Sequence, residues 1–359
     1  MIKKIAIDVS PLHDGNSVRG VGHYTQNLVN ALQKEIKTNP DYKNYHLDLI
    51  EDSKLKIEDY DLVHYPFFDP FKLTLPKINI PTIVTVHDLI PRQFKSHFPV
   101  GFKGEIKWQI QKSRLKKVNY IVTPSHYSKH IIADILKYPV DKIYVTPEAA
   151  TSDFKPIKDA KLLKSIKTKY NLPDKFVLFV GDINWNKNIP GLVDSCLSLK
   201  YPLVMVGSAA TKTNVPKHPW TRDIHFVQAQ IKKHPQLIIP TGFVPDQDLP
   251  AIFNLATIYC QPSFAEGFGL PVVQAIQSGT PVAYSQESCL NEIMDYNGQM
   301  FNPYSQNSLK KALSKLWNNP KVRQEYSQNG LLRAQIFNWQ YTALQTLAVY
   351  DLVLKYERE

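Results

Sequence analysis

The residues with the most chemical promise lie in one run, Gln261-Pro262-Ser263-Phe264-Ala265-Glu266-Gly267-Phe268-Gly269-Leu270-Pro271. An apolar strand pattern ends just before it, at Cys260, and a helical pattern follows. Two glycines turn the chain, and Pro271 suits the first helical position. The backbone N–H groups of Phe268, Gly269 and Leu270 then face a ligand with the helix dipole behind them, a cradle for an anion or a hydroxyl. Glu266 stands at the lip of this cradle, where its carboxylate accepts hydrogen bonds from hydroxyl groups. The competing reading is a plain strand-to-helix turn in which Glu266 caps the helix.

Three other positions invite chemistry. Lys187 comes six residues after Gly181, beyond an apolar strand, where a cation offsets negative charge developing on a leaving group. A solvated surface lysine is the bland alternative. His87 ends the apolar stretch 81–87. Asp88 beside it could fix its tautomer, although adjacent strand residues point to opposite faces. A satisfied polar residue at a strand end is the plainer reading. Gly20 and Gly22 form a glycine loop that follows strand 5–9 and opens a helix at 22–37, and missing side chains let a ligand approach the backbone. As a dinucleotide fingerprint this loop fails: Thr25 takes the third glycine position, and ten residues separate strand from loop.

Loops of this kind need strands and helices to hold them. Near-continuous apolar runs occur at 5–9, 45–50, 62–66, 81–87, 120–124 and 143–146, then at 176–180, 203–206, 237–240, 257–260, 281–284 and 299–302. Such runs suit strands buried on both faces of a parallel sheet. Helical patterns alternate with most of them, at 22–37, 126–137, 188–199, 271–278 and 306–317. The fold class is therefore α/β, with two doubly wound Rossmann-like domains of about six strands each. Two such domains leave a cleft, and ligands belong in the loops at the carboxyl ends of the strands. The lysine-rich stretch 151–172 lacks a strand pattern and holds the boundary. The expected division is 1–160, 161–337 and a last helix over 338–359, with Ala343, Leu347, Tyr350 and Leu354 on its apolar face.

Composition excludes several classes. The chain has 359 residues and is 43% hydrophobic, which rules out a disordered chain. Three scattered cysteines, Cys196, Cys260 and Cys289, make neither a disulfide scaffold nor a zinc knuckle and fit a reducing cytosol. The longest uncharged run, 267–286, holds too many Gly, Pro and Gln residues for a membrane span, and the first residues do not read as a signal peptide. The net charge of +11 asks for an anionic partner.

Taken together, Glu266-Gly-Phe-Gly-Leu-Pro and Ser278-Gly279-Thr280-Pro281-Val282 resemble the family-4 retaining glycosyltransferases of GT-B fold. So do Gly20-Val21-Gly22-His23-Tyr24, Thr85-Val86-His87-Asp88, Val180-Gly181-Asp182 with Lys187-Asn188, and Phe337-Asn338-Trp339, in the family's order over nearly the whole chain. The resemblance implies a hexosyltransferase that moves a sugar from a nucleotide-diphosphate sugar to a hydroxyl of a glycan or lipid-linked acceptor, with retention. It implies an N-terminal acceptor-binding domain, a C-terminal donor-binding domain across the cleft, and a last helix that packs back on the N-terminal domain. It assigns catalytic positions to Glu266, His87 and Lys187. Donor binding falls to Gly20, Gly22, Lys187, Gly267, Phe268, Gly269, Leu270 and Gln274, with no metal and no cofactor. The style of Gly181–Asn188 resembles mannosyltransferase members and tips the donor toward GDP-mannose. A nucleotide-sugar epimerase of similar fold and a non-catalytic sugar-nucleotide-binding protein are the alternatives.

Two departures from the family pattern stand out. Gln274 replaces the second glutamate, keeping an acceptor oxygen but no charge. Asp182 stands where many relatives carry an arginine that pairs with the diphosphate, so Lys187 carries that charge, with Arg19 as a conjectured helper. Glu148 receives no role. Charge also gathers between Arg92 and Lys129, where nine basic residues face Glu105 alone and Phe94, Phe98, Phe102 and Trp108 are interleaved. That segment reads as a surface for anionic lipid or as a solvated helix face with core aromatics. The expected location is the cytoplasm, peripheral on the inner face of the membrane. A nucleic-acid partner finds no recognition motif.

Overall fold

Each of the twelve apolar runs becomes a strand in the computed structural model, which describes residues 2–13, 15, 20–51, 57–77 and 79–356. The chain divides into two units. One comprises Met1–Lys95, Pro99–Ala149 and Phe337–Glu359; the other comprises Ser96–Phe98 and Ala150–Ile336. The crossing between Ala149 and Ala150 comes earlier than residue 160, and the last helix, Trp339–Tyr356, belongs to the first unit.

In the first unit, β1 (Lys3–Asp8), β2 (Tyr45–Ile50), β3 (Leu62–Tyr65), β4 (Thr82–Thr85), β5 (Tyr120–Thr123) and β6 (Ile143–Val145) form one sheet in the order β2-β1-β3-β4-β5-β6. All its pairings are parallel. β3 and β4 are buried at every position, the reason they read as near-continuous apolar runs. The helix Gly20–Thr38 lays Tyr24, Leu28, Val29 and Leu32 against Ala343, Leu347, Tyr350 and Val353 of the last helix. Each leucine and valine among them contributes about 1.5–3 kcal/mol by leaving water.

The second unit holds β7 (Val177–Val180), β8 (Leu203–Val206), β9 (Ile238–Gly242), β10 (Ile258–Gln261), β11 (Val282–Ser285) and β12 (Gln299–Phe301), ordered β12-β11-β10-β7-β8-β9 and all parallel. From β7 the chain winds outward through β8 and β9, then returns to the other side of β7 at β10. The loops that follow β7 and β10 therefore flank the switch point of the sheet, where doubly wound folds bind ligands. In the first unit the equivalent reversal lies between β1 and β3. Part of the loop after β1, including Arg19, lies outside the described residues.

The loop after β7 is held by two glycines. Gly181 donates its N–H to the Val206 carbonyl at 3.0 Å, and Gly207 donates to the Gly242 carbonyl at 2.9 Å. Both have φ near +144°, a region disfavoured for side-chain-bearing residues. A Cβ at Gly207 would stand 2.5 Å from the Gly181 carbonyl oxygen. Cys196, Cys260 and Cys289 are free and buried.

Candidate functional site

The second unit assembles its cluster by lacing two loops together. After Gly181 the chain makes a short turn, Trp185–Lys187, ended by Asn188 in the left-handed conformation at φ 51°. Asn186 Nδ2 donates to the Ala265 carbonyl at 3.0 Å, and the Phe264 N–H returns a bond to the Asn186 carbonyl at 2.7 Å. Asn188 Nδ2 donates to the carbonyls of Pro262 (3.1 Å) and Pro303 (3.2 Å). The rings of Trp185, Phe264 and Tyr304 stack in sequence beside these bonds.

This lacing brings Lys187 onto Glu266. Lys187 Nζ lies 2.8 Å from Glu266 Oε1 and 2.7 Å from Oε2. Oε1 also accepts from Gln261 Nε2 at 2.7 Å and Ser263 Oγ at 2.6 Å. Tyr259 donates to Gln261 Oε1, which fixes the amide so that its N–H groups face Ser263 and Glu266. Oε1 thus holds three donors and Oε2 only the lysine, leaving Oε2 room for another. The Glu266 side chain is 6% exposed and that of Lys187 is 20% exposed, so the carboxylate is walled in while the ammonium keeps some access. At the lip of the cradle Glu266 is therefore half of an enclosed ion pair. The capping alternative fails: Gly269, at φ 93°, occupies the cap position of the helix Leu270–Gln277, which receives no side-chain capping bond.

The remaining residues of the motif line the approach to that helix. Gly267, Phe268 and Gly269 are buried, and Pro271 is the second helical residue rather than the first. Cys289 Sγ donates to the carbonyls of Glu266 (3.3 Å) and Phe268 (3.1 Å), pinning the turn from behind. Burial raises that thiol's pKa, so it stays protonated and able to donate. Gln274 sits half-buried in the second turn of the helix. Asp182 is exposed.

The first unit presents a different cluster. His87 lies two residues past β4, and its Nδ1 is 2.9 Å from Glu148 Oε1. Glu148, which follows β6 and to which the sequence assigned nothing, is therefore the partner of this ring. Asp88 is not: its Oδ1 accepts the Ile90 N–H at 2.9 Å and starts a short helix. The Tyr24 ring meets His87 edge-on, with centroids 4.6 Å apart at 88°. Beneath them, His64 bridges Thr85 Oγ1 (2.8 Å) and the Tyr350 hydroxyl (2.7 Å). Burial, then the neighbouring His87, push the His64 pKa down to about 3, so His64 is neutral. For His87 burial also acts downward, but the bond and charge of Glu148, with Asp88 and the Pro66 carbonyl, outweigh it and raise the pKa.

Gly20 and Gly22 form no loop. They lie in the first turn of the helix Gly20–Thr38. A Cβ at Gly20 would meet nothing within 4 Å, so no described neighbour demands glycine there.

The basic segment also separates into two populations. Arg92 is buried, makes a bidentate pair with Glu105 at 2.7 and 3.1 Å, and lies over the Trp108 ring. Lys112 and Arg114 bind the carbonyls of Ile135 and Leu75. Phe98 and Trp108 are core residues. What faces outward on the helix Gly101–Leu115 is Phe102 (82% exposed), Ile106 (45%) and Ile110 (38%), with Lys103 and Lys107 between them. Among the described residues no helix is long and apolar enough to cross a membrane, and no three His, Cys, Asp or Glu side chains are grouped to hold a metal.

Two family models match the chain: Glycosyl transferases group 1 over residues 163–333, and Glycosyltransferase Family 4 over residues 37–151. The O-antigen chain mannosyltransferase B of Escherichia coli is 27% identical over 278 residues, covering 76% of this chain and 70% of that protein. The serotype-specific mannosyltransferase WbdA of Escherichia coli is 26% identical over 301 residues, covering 81% of this chain but only 36% of its own length. Among solved structures, the sucrose-phosphate synthase from Thermosynechococcus elongatus superposes with a TM-score of 0.75 at 19% identity, over 98% of this chain and 99% of that one. At that identity the likeness concerns the fold.

Proposed function

Since the chain belongs to the group 1 glycosyltransferases and has the GT-B fold, we propose that it transfers mannose from GDP-mannose to a hydroxyl of a glycan or lipid-linked acceptor, with retention of configuration. The observation that carries this reading is the Lys187–Glu266 pair at the switch point of the second sheet. Lys187 is held ready by a carboxylate and retains partial access, so an arriving diphosphate finds an oriented cation. Glu266 Oε2 keeps capacity for a sugar hydroxyl, while Gln274 supplies a neutral acceptor for the ribose. The turn Gly267–Leu270 adds the amino end of a helix behind the phosphates. In the proposed step the bond from the anomeric carbon to the acceptor oxygen forms on the face from which the diphosphate leaves. The acceptor's proton goes to a phosphate oxygen of the leaving group. No cofactor enters this scheme. The mannosyl choice is supported by the names of the two relatives, both mannosyltransferases.

The test is nucleoside-diphosphate release from a panel of UDP- and GDP-sugars, with and without mannooligosaccharides, and NMR of the product's anomeric proton. Turnover of GDP-mannose to an α-linked product is expected. Silence from the whole panel, or a β-linked product, would overturn the proposal.

We also propose that the acceptor is met at an anionic membrane surface, through the outer face of the helix Gly101–Leu115. Phe102, Ile106 and Ile110 recur at four-residue intervals and share that face, while Trp108, Gln111 and Leu115 fill the core side. Exposed Lys103 and Lys107 lie on the same helix, and exposed Lys95, Lys116 and Lys117 precede and follow it in the chain. A stripe of three large apolar side chains amid lysines matches an interfacial helix that lies in the headgroup region. Each nearby lysine contributes about 1 kcal/mol toward an anionic leaflet. Flotation with phosphatidylglycerol vesicles at low salt should carry the protein up, and neutral phosphatidylcholine vesicles should not. The variant Phe102→Ser/Ile106→Ser should stay at the bottom in both. Equal flotation of variant and wild type rejects the proposed face.

A further inference from the structure

We propose that Glu148 is a positioning residue for His87: its carboxylate accepts the hydrogen bond of Nδ1–H and thereby fixes the orientation and the charge of the ring. The inference rests on the transferase reading above and adds to it a residue with no assigned part.

Three observations carry it. The Nδ1–Oε1 separation is 2.9 Å between two largely enclosed side chains, 17% and 9% exposed. The ring cannot rotate freely, because Tyr24 meets it edge-on and the Tyr24 hydroxyl is itself within 3.3 Å of Thr85 Oγ1. The Pro66 carbonyl also bonds to the ring, so backbone, Glu148 and Tyr24 together hold it from three sides.

The charge state follows from the surroundings. Four titratable groups face the ring. Glu148 comes from the loop after β6. Asp88 is next in the chain and is occupied by the Ile90 N–H. His64 rises from β3 and is neutral, its pKa lowered to about 3. Tyr24 comes from the helix Gly20–Thr38 and is protonated, because burial raises its pKa. Within this cluster Glu148 favours the imidazolium of His87 and raises its pKa. In that form the ring is a charged donor, and such donors suit hydroxyl and phosphate oxygens. Because the folded pKa is raised, the pair's contribution to stability is complete below the ordinary histidine pKa. It is lost as pH rises through the higher value in the fold. Activity that needs the charged donor falls through the same range.

Glu148→Gln separates orientation from charge. Glutamine keeps an oxygen for the Nδ1 proton but no negative charge. Histidine-labelled protein followed by ¹⁵N NMR should show His87 titrating above the ordinary value in the wild type and lower in Glu148→Gln. The alkaline limb of the kcat/KM profile should move down in parallel. Glu148→Ala, which also loses orientation, should reduce kcat by about 10–100-fold, a loss as large as that of the outer partner of a metal-bound histidine. Glu148→Asp, which keeps the charge, should retain the raised titration and recover part of the rate. An unchanged His87 titration in Glu148→Gln, or an unmoved profile in an equally stable variant, overturns the inference. If the wild type turns over no donor, the transferase reading fails, and the NMR titration still decides the role of Glu148.

Discussion

Lys187→Ala should lower kcat for diphosphate release by about 10²–10³, the typical cost of removing one donor aimed at a developing negative charge. It should also destabilise the fold, because Glu266 would be left as an enclosed carboxylate whose Oε2 has lost its one donor. Breaking a buried pair from one side costs about 3–5 kcal/mol. Glu266→Gln should behave differently. The glutamine oxygen can still accept from Gln261 and Ser263, and the released Lys187, already 20% exposed, can turn toward water. Its stability cost should be small, while activity falls because the ammonium is no longer held in place. The decisive measurement is the double variant by thermal and urea unfolding. With the buried charge gone, Lys187→Ala/Glu266→Gln should be more stable than Lys187→Ala alone, a coupling that neighbouring sites allow and independent sites do not. Strict additivity of the two single changes would mean that the pair does not act as a unit.

The second large effect concerns Gly207, just after β8. Gly207→Ala should lower stability by about 2–5 kcal/mol, combining strain at a disfavoured φ with overpacking. The added Cβ would lie 2.5 Å from the Gly181 carbonyl oxygen and 3.3 Å from its carbon. Neither backbone can step aside cheaply, since Gly181 is bonded to Val206 and Gly207 to Gly242. For a unit of this size the melting temperature should fall by roughly 5–15 °C. Activity at low temperature should suffer as well, because any yielding shifts Gly181 and the turn that carries Lys187. Gly20→Ala is the contrast. Its Cβ meets nothing within 4 Å, and alanine is the better helix former, so stability should hold or rise slightly. An equal loss of stability in both variants would show that the close approach at Gly207 is not the cause.

The strands were legible because a parallel sheet covered on both faces writes itself as apolar runs, and β3 and β4 are buried at every position. Glu266 and Lys187 were legible singly, each by a motif. Their mutual contact was not, because they are 79 residues apart and meet only through the adjacency of β7 and β10. The partner of His87 was hidden for the same reason. Asp88 is next to it in sequence but serves the backbone of Ile90, while Glu148, 61 residues on, reaches the ring through the fold. Gly20 and Gly22 were misplaced because glycine's turn preference is a weak signal beside a helix that begins at Gly20. A charge sum over 92–129 likewise cannot know that Arg92 is buried against Glu105.

The last helix belongs to the first unit, although the residues from Ala150 to Ile336 intervene. On a ribosome adding about 5–20 residues per second, the segment that completes the first unit follows Ala149 by roughly 10–40 s. For that interval Tyr24, Leu28 and Leu32 lack the covering that Ala343, Leu347 and Tyr350 later provide. The nascent chain therefore carries a bare apolar helix face while the second sheet is being made, a natural foothold for a chaperone. Destabilising changes in the last helix should consequently reduce the yield of soluble protein more than their effect on the finished molecule implies.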